Sequence, residues 1–478
     1  MQLDSAEVEV RQDATRGRGV YAVAKLPANQ VILKDSPISV ACVEDTDDDE
    51  DDEDDERATP LVCCVCKRFV GSVPLQLHYL AGSFQLLAGM CSDDRRVHAL
   101  PPSLQAMTSQ PTLPNLPATN TPVFLTKFRG EKIPSVVCSK LCGEVLHAQP
   151  KNVFAVDFQR DETFQALEAN LKHLSLATAI LAKVYHRLHV QAKSGTIEWN
   201  AAVADIELLE ACSTIDKALD ASQVAAAHSF LLDAFASSKS KVFACFKAHM
   251  DLAFFKGLLG RCKVNAVGVD VPSPVVPYFL ACEGDAATKA ALVQQAAPLL
   301  ERVLQKLCHQ GDDDESAESS TPDDTDGGAS ADEADCDAPR ATAADSDDED
   351  EDIHFVWSTG HEDDGCDIEF NSSAFPSMDG MALFPRFSML NHSCAPNCGF
   401  TYVNETDITV FTTADVAPGE ELTISYIERN APVRARQAEL RRRYNFTCAC
   451  ARCTTELAAT GKRKAVVDGA KAKRAKLP

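Results

Sequence analysis

Two acidic runs limit how this 478-residue chain can be built. Twelve of the thirteen residues from Glu44 to Glu56 are Asp or Glu, and 19 more acids lie between Asp312 and Asp352, where Arg340 is the one base. Like charges at this density repel one another and offer little apolar surface to bury, so neither run belongs in a folded core. Both are expected to be solvated, disordered linkers. A sharper alternative is that they mimic an acidic partner and compete for basic ligands such as histone tails. The formal net charge of −25 belongs to them: they hold 31 of the 71 acids, leaving 40 acids against 45 bases elsewhere. The folded body has to come from the segments they separate.

Those segments differ in pattern. From Glu7 to Cys42 polar and apolar residues alternate (Val8 and Val10, Val20 and Val23, Val31 and Leu33, Ile38 and Val40). Gly17-Arg18-Gly19 and Pro27-Ala28-Asn29 punctuate them, which predicts three or four short strands with tight turns. From Asp161 to about Ser194 the pattern is helical. Phe164, Leu167, Leu171, Leu174, Leu181 and Leu188 recur at spacings of three, four and seven, laying one apolar stripe along a helix. Helical signals continue through 199–260 and 285–308. The apolar run from Val267 to Cys282, broken by Asp270 and three prolines, reads as core or loop. Beyond the second acidic run, strand-like alternation returns at Gly399–Asn404, Asp407–Thr413 and Glu421–Tyr426. An α+β fold follows, with short strands at both ends that can pair only if the chain ends meet in space. The organisation expected is a strand segment (1–43), an acidic loop (44–60), a cysteine segment with a long insertion (61–150) and a helical block (151–308). After these come an acidic linker (309–352), a second strand segment (353–430), a second cysteine segment (431–457) and a basic tail (458–478).

Met1 to Asp13 carries acids early and no apolar run, so no signal peptide is expected. No stretch approaches the roughly 20 apolar residues of a membrane helix, so no membrane partner is expected and the chain reads as soluble and intracellular. Its 19 cysteines fall largely in short-spaced groups, which in such a chain points to reduced thiols, some of them metal ligands, rather than disulfides. Cys212, Cys245, Cys262, Cys282 and Cys308 lie singly and read as small buried hydrophobes. His173, His186 and His189 have no cysteine or carboxylate companions at ligand spacing and read as surface or core residues.

Three strings carry the chemistry. Asn391-His392-Ser393-Cys394-Ala395-Pro396-Asn397 has the small polar residues and proline of a tight, hydrogen-bonded loop. Gly419-Glu420-Glu421-Leu422-Thr423-Ile424-Ser425-Tyr426 is a turn feeding a short strand that ends on tyrosine. Tyr444-Asn445-Phe446-Thr447-Cys448-Ala449-Cys450-Ala451-Arg452-Cys453 places three thiols on a short loop. With Arg16-Gly17-Arg18-Gly19-Val20-Tyr21-Ala22 near the start, this order resembles the SET-domain methyltransferases, in the split-SET branch typified by the SET-and-MYND proteins. The likeness covers residues 5–42 and 380–457, while 160–310 match only as a helical insertion at the expected place.

The resemblance implies short β-sheets with a knot-like C-terminal crossing around an S-adenosylmethionine pocket. Gly17, Arg18 and Gly19 would contact the cofactor, Asn391 and His392 would hold its amino-acid and adenine parts, and Phe446 would pack on the adenine. Tyr426 and Tyr444 would line the channel for a substrate lysine. These residue types suit such a pocket, since glycines let backbone approach a ligand and aromatic walls suit a purine and a cationic sulfonium. The activity implied is protein-lysine N-methylation. Its partner is a protein with an exposed lysine, histone tails among the candidates. The alternative is a catalytically silent SET-fold scaffold held by zinc, acting in chromatin or transcriptional regulation.

Cys448, Cys450 and Cys453 leave tetrahedral zinc one ligand short, and the resemblance supplies it as Cys394. A second zinc is expected on Cys63, Cys66, Cys138 and Cys142. There Val137-Cys138-Ser139-Lys140-Leu141-Cys142 looks like the middle of a MYND finger from which most ligands are missing and residues 67–137 are looped out. Cys64, Cys91 and His147 are alternates, and ordinary free cysteines are the bland reading. Lys462-Arg463-Lys464 and Lys471-Ala472-Lys473-Arg474-Ala475-Lys476 read as a nuclear localisation signal engaging the import machinery. The nucleus is the expected compartment, with the cytoplasm open as a second. Direct nucleic-acid binding is not expected, because the body shows no interleaving of arginine with aromatic residues.

Overall fold

Fifteen strands are described, four of them before residue 43 and seven after residue 353, and the two groups share sheets. The computed structural model describes residues 7–13, 17–42, 60–82, 96–100, 121–128, 131, 134–211, 220–237, 240–311, 353–358, 367–403 and 406–459. The acidic runs, the basic tail, Arg16, Cys91 and Cys212 lie outside them. The first strands are β1 (Val8–Asp13), β2 (Gly17–Ala22), β3 (Val31–Asp35) and β4 (Ser39–Cys42). The cysteine segment adds β5 (His98–Ala99), β6 (Phe124–Thr126) and β7 (Ser135–Val137), and the helical block adds β8 (Ala266–Val271). The C-terminal strands are β9 (His354–Ser358), β10 (Asp367–Asn371), β11 (Met378–Leu383), β12 (Asn391–His392), β13 (Cys398–Val403), β14 (Asp407–Thr412) and β15 (Glu421–Ile424).

The pairing expected of the chain ends is present three times. β2 runs antiparallel to β15 (Val20 opposite Leu422), β3 to β14 (Leu33 opposite Val410) and β4 to β11 (Val40 opposite Ala382). One core joins these sheets, built from Val20, Ile32 and Leu33 at one end of the chain and Ile408, Val410 and Ile424 at the other. Asp35, at the end of β3, is buried and accepts from the backbone N–H groups of Arg386 and Phe387 at 2.7 and 2.9 Å. It also pairs with the Arg386 guanidinium at 3.1 Å. Its burial raises the pKa while these donors pull it down.

Several local expectations change. The stripe read as a single helix is two helices, Glu162–Asn170 and Leu174–Ser194. Between them His173 takes the left-handed conformation, φ 77°. All six stripe residues are buried, so their spacing carried no sign of the break. The apolar run at 267–282 is strand β8 followed by the helix Val275–Glu283, with Pro274 at the helix N-cap. β8 joins the far edge of β11, so the helical block contributes a strand to the main fold. Nor is 67–137 simply looped out. It holds the helix Val73–Leu80, capped by Ser72, and the β5-β6-β7 sheet. That helix buries Val73, Leu77 and Leu80 beside Phe279 of Val275–Glu283 and beside Phe355, Trp357 and Phe370 of the β9–β10 hairpin.

Truncating Asp35 strands two backbone donors and takes the carboxylate from a guanidinium that is 24% exposed and keeps its bond to Lys34 O. Asp35→Ala is expected to cost about 2 kcal/mol, below the usual cost of breaking a fully buried pair because water reaches Arg386. Urea unfolding of the two proteins measures it, and an unchanged midpoint would mean that this clasp adds nothing.

Candidate active site and metal centres

Asn391 and His392 form the two-residue strand β12 beside β15, rather than the loop expected, and the chain bends at Cys394 and Ala395. β12 is parallel to β15, and Ser393 N–H continues the pairing by donating to Ile424 O at 2.9 Å. The Asn391 amide donates to Arg18 O at 2.9 Å and to Glu421 Oε1 at 2.8 Å. Both its N–H bonds are thereby spent on protein, which turns its oxygen the other way. A Cβ on Gly19 would come within 2.7 Å of Glu421 Oε1 and 3.0 Å of Asn391 Nδ2, so a larger residue here would displace the Glu421–Asn391 pair. Gly17 needs glycine for a different reason, φ 75°, and the space where its Cβ would point is open.

A cleft of about 720 Å³ opens beside this junction. Gly17, Arg18, Asn391, His392, Tyr426, Tyr444 and Phe446 all line it; Gly19 does not, and serves packing beneath Asn391 instead. Tyr426 lies two residues beyond the end of β15 and donates its hydroxyl to Leu390 O at 2.5 Å. Tyr444 ends the helix Val433–Tyr444, and Asn445, at φ 60°, caps that helix in the left-handed region that asparagine tolerates. The turn swings Phe446 back over the cleft, with its N–H on Leu440 O at 3.5 Å. Tyr426 and Tyr444 have ring centroids 4.9 Å apart, with Phe446 at 6.5 and 6.4 Å from them. Burial pushes the Tyr444 hydroxyl up, keeping it neutral and its ring a plain aromatic wall.

Two further lining residues carry no mark in the sequence. Asn265 ends the helix Leu252–Asn265 and is locked by its amide donating to Glu210 O and Arg261 O at 2.9 and 2.8 Å. Glu210 lies 3.7 Å from Arg18. Both come from the helical block, whose sequence shows periodicity but no motif that marks a ligand-facing position.

His392 lines the cleft, and its imidazole is also held by two protein contacts. Tyr426 N–H donates to its Nδ1 at 3.0 Å, and its Nε2 lies 3.2 Å from Cys394 Sγ. Both ring nitrogens are engaged by protein.

Behind the aromatic wall the four sulfurs of Cys394, Cys448, Cys450 and Cys453 lie within 4.8 Å of one another. Tetrahedral zinc with bonds of about 2.3 Å holds its sulfurs about 3.8 Å apart. Cys394 to Cys453 is 3.4 Å and Cys394 to Cys448 is 4.0 Å, so the donor set fits the ion. Gln437, buried, fixes the loop by accepting from Cys448 N–H at 3.0 Å and donating to Cys448 O at 2.7 Å. Cys63, Cys66, Cys138 and Cys142 form a second cage of the same size, with gaps of 3.5 Å (Cys66 to Cys138) and 3.6 Å (Cys138 to Cys142). Two local devices build it. Ser139 caps the helix Lys140–His147 through Cys142 N–H, placing Cys138 and Cys142 at one helix end. Lys67, at φ 62°, folds the Cys63–Cys66 turn back on itself. Within each cage the other thiols favour one thiolate. Hydrogen bonding from Cys394 pulls Cys448 down to about 3, and bonds from Cys142, Cys63 and Cys66 hold Cys138 far below an ordinary thiol. His147 is no alternate ligand, since its Nε2 meets Thr126 Oγ1 at 2.6 Å. Cys64 stands outside the cage, its thiol pushed up to about 12 by burial.

A split β-fold whose ends build one aromatic cleft, pinned from behind by four cysteines, defines the class. The SET domain model matches residues 17–427, and the chain belongs to that family, whose members methylate protein lysines with S-adenosylmethionine. Shorter stretches resemble particular members. Human histone-lysine N-methyltransferase SMYD3 is 40% identical over 77 residues, 16% of this chain and 18% of that protein. Human N-lysine methyltransferase SMYD2 is 43% identical over the same length, again 16% and 18%. A SET and MYND domain-containing protein of Dictyostelium discoideum is 43% identical over 75 residues, 16% and 19%. The matched stretch spans less than a fifth of each relative. Among the described residues no helix is long and apolar enough to cross a membrane.

Native mass spectrometry of the purified chain is expected to find two zinc ions. Cys138→Ala and Cys450→Ala should each lose one of them and His147→Ala neither. A third ion, or loss of both from one variant, would contradict two independent cages.

Proposed function

We propose that this chain is an S-adenosylmethionine-dependent protein-lysine N-methyltransferase, with the aromatic cleft between Asn391 and Phe446 as its active site. One observation carries the reading: Gly17 and Arg18, Asn391, Tyr426, Tyr444 and Phe446, from four separate stretches of sequence, line a single cleft. Its volume lies within the range of about 300–1,000 Å³ usual for small-molecule sites. Asn391, oriented by Arg18 and Glu421, would offer its oxygen to the cofactor's ammonium, and Phe446 would cover the adenine. Bound S-adenosylmethionine would supply a methyl carbon made electrophilic by its sulfonium. Transfer would form a C–N bond to the lysine amine, break the C–S bond and release one proton to water.

The chain's own work is placement and exclusion of water. Lysine in water is neutral in only about one molecule per thousand near pH 7.4, so the amine has to lose a proton before it attacks. A substrate channel walled by Tyr426 and Tyr444 would disfavour the ammonium form, and the tyrosine faces and nearby carbonyl oxygens would suit the methyl's partial positive charge. No acid–base pair is needed. For the address, we infer nuclear import through Lys462–Lys464 and Lys471–Lys476, and histones are then substrate candidates.

Labelled methyl transfer to core histones and to a hypomethylated lysate tests the activity. Wild type should label a protein lysine, and Tyr426→Phe should slow transfer by about 100-fold, the scale of losing one preorganised polar group. Below the amine's pKa the initial rate is expected to rise roughly tenfold per pH unit, because the neutral amine is the reactant. Zinc-loaded protein that neither binds the cofactor nor transfers label would leave the scaffold reading standing. Separately, removing residues 461–478 from a fluorescent fusion should spread it into the cytoplasm, and unchanged nuclear signal would end the import assignment.

A further inference from the structure

We propose that Arg436 and His392 are the outer sphere of the C-terminal zinc site, each donating to a thiolate, and that the His392 imidazole links the metal to Tyr426. The inference rests on zinc occupying the four-cysteine cage, not on methyl transfer.

Four thiolates on one Zn2+ leave a net charge of about −2, which is costly to bury without donors or a countercharge. Arg436 meets that need. It lies on the helix Val433–Tyr444, only 1% exposed, and its guanidinium reaches Cys453 Sγ at 3.7 Å, Glu456 Oε2 at 2.8 Å and Ala431 O at 2.5 Å. Glu456 also accepts from Arg452 at 2.8 Å, and Arg452 donates to Cys394 O at 3.0 Å. Two cations therefore flank one carboxylate behind the sulfurs, and the surplus positive charge faces them. A fully buried arginine with a single carboxylate partner is hard to explain by packing alone, and a thiolate cage at its tip explains it.

His392 approaches Cys394. Because Tyr426 N–H donates to Nδ1, that nitrogen carries no proton, so the neutral ring holds its proton on Nε2, which lies 3.2 Å from Cys394 Sγ. A thiolate there is an acceptor, and the ring becomes a rigid spacer between metal and Tyr426. The same tyrosine is held from its other end by Leu390 O, so occupancy of the cage would set the position of the cleft's central ring. Outer-sphere donors of this kind orient metal ligands, and their loss typically weakens metal binding 10–100-fold.

The test uses full-length protein carrying both zinc ions, challenged with a chromogenic chelator. Arg436→Met should weaken the C-terminal zinc by 10–100-fold, while Arg436→Lys, which keeps a charge but cannot span all three partners, should fall between. The N-terminal zinc, identified with Cys138→Ala, should leave as it does from wild type and so reports an intact fold. If Arg436→Met does not fold, Arg436→Lys carries the comparison. In cobalt-loaded protein, His392→Leu should shift the sulfur-to-metal charge-transfer band. His392→Gln, able to offer an N–H to Cys394, should retain the C-terminal zinc better than His392→Leu does. Wild-type zinc affinity in folded Arg436 variants would overturn the proposal, as would an unmoved cobalt band in His392→Leu. His392→Gln that loses the C-terminal zinc as readily as His392→Leu would overturn the donor role given to the imidazole. Wild type without zinc in this cage would remove the proposal's basis whatever the transfer assay reports.

Discussion

Antiparallel pairing between strands from opposite ends of the chain is the constraint on which the rest depends. Val20 faces Leu422, Leu33 faces Val410 and Val40 faces Ala382, each pair nearly the length of the chain apart. Closing such loops costs entropy that grows only with the logarithm of their length, so a helical block and two acidic runs can sit between the halves at modest expense. The return comes from burying both strand sets in one core. Chemistry also follows from it, because the Arg18 carbonyl is brought within 2.9 Å of the Asn391 amide. Without that meeting there is no cleft.

A second dependence runs through the cysteines. Cys394 sits just past β12, whereas Cys448, Cys450 and Cys453 follow the helix that delivers Tyr444. A metal joining them would hold the aromatic wall against β12. Gln437 and the left-handed turn at Asn445 do the finer placement, and their hydrogen bonds cost less to maintain because the loop is already closed. The cage at Cys63 works on another boundary, between the β5–β7 sheet and the long helix Leu174–Ser194. That helix brings Lys183 to a cavity of about 1,010 Å³ that Cys66, Cys138 and Cys142 also line.

The chain belongs to the SET family, and its helical block takes part in the fold that family membership implies. The helical block lends strand β8 to the main fold and Asn265 to the cleft wall. It is thus part of the site's construction rather than a passenger between two halves.

The sequence by itself determined the alternating strands at both ends, the three C-terminal strands within a residue or two, and the short-spaced cysteine groups, to which only the family resemblance added Cys394. It did so because these features are local: alternation, turn residues and thiol spacing act over a few positions. The residues that line the cleft were legible for the same reason, lying in short strings of unusual composition. Tertiary structure alone decided the rest. The break at His173 was hidden because all six stripe residues stay buried on either side of it. β8 was hidden because a strand from a helical stretch is recognised only by its partner β11. Asn265, Glu210 and Arg436 have ordinary neighbours in sequence, and their roles arise from what lies across space from them. For His392 the motif gave a place at the cleft, and the direction of its ring is set by Tyr426 N–H and Cys394 Sγ. A hydrogen-bond partner 34 residues away is a property of the folded chain, not of the string of letters.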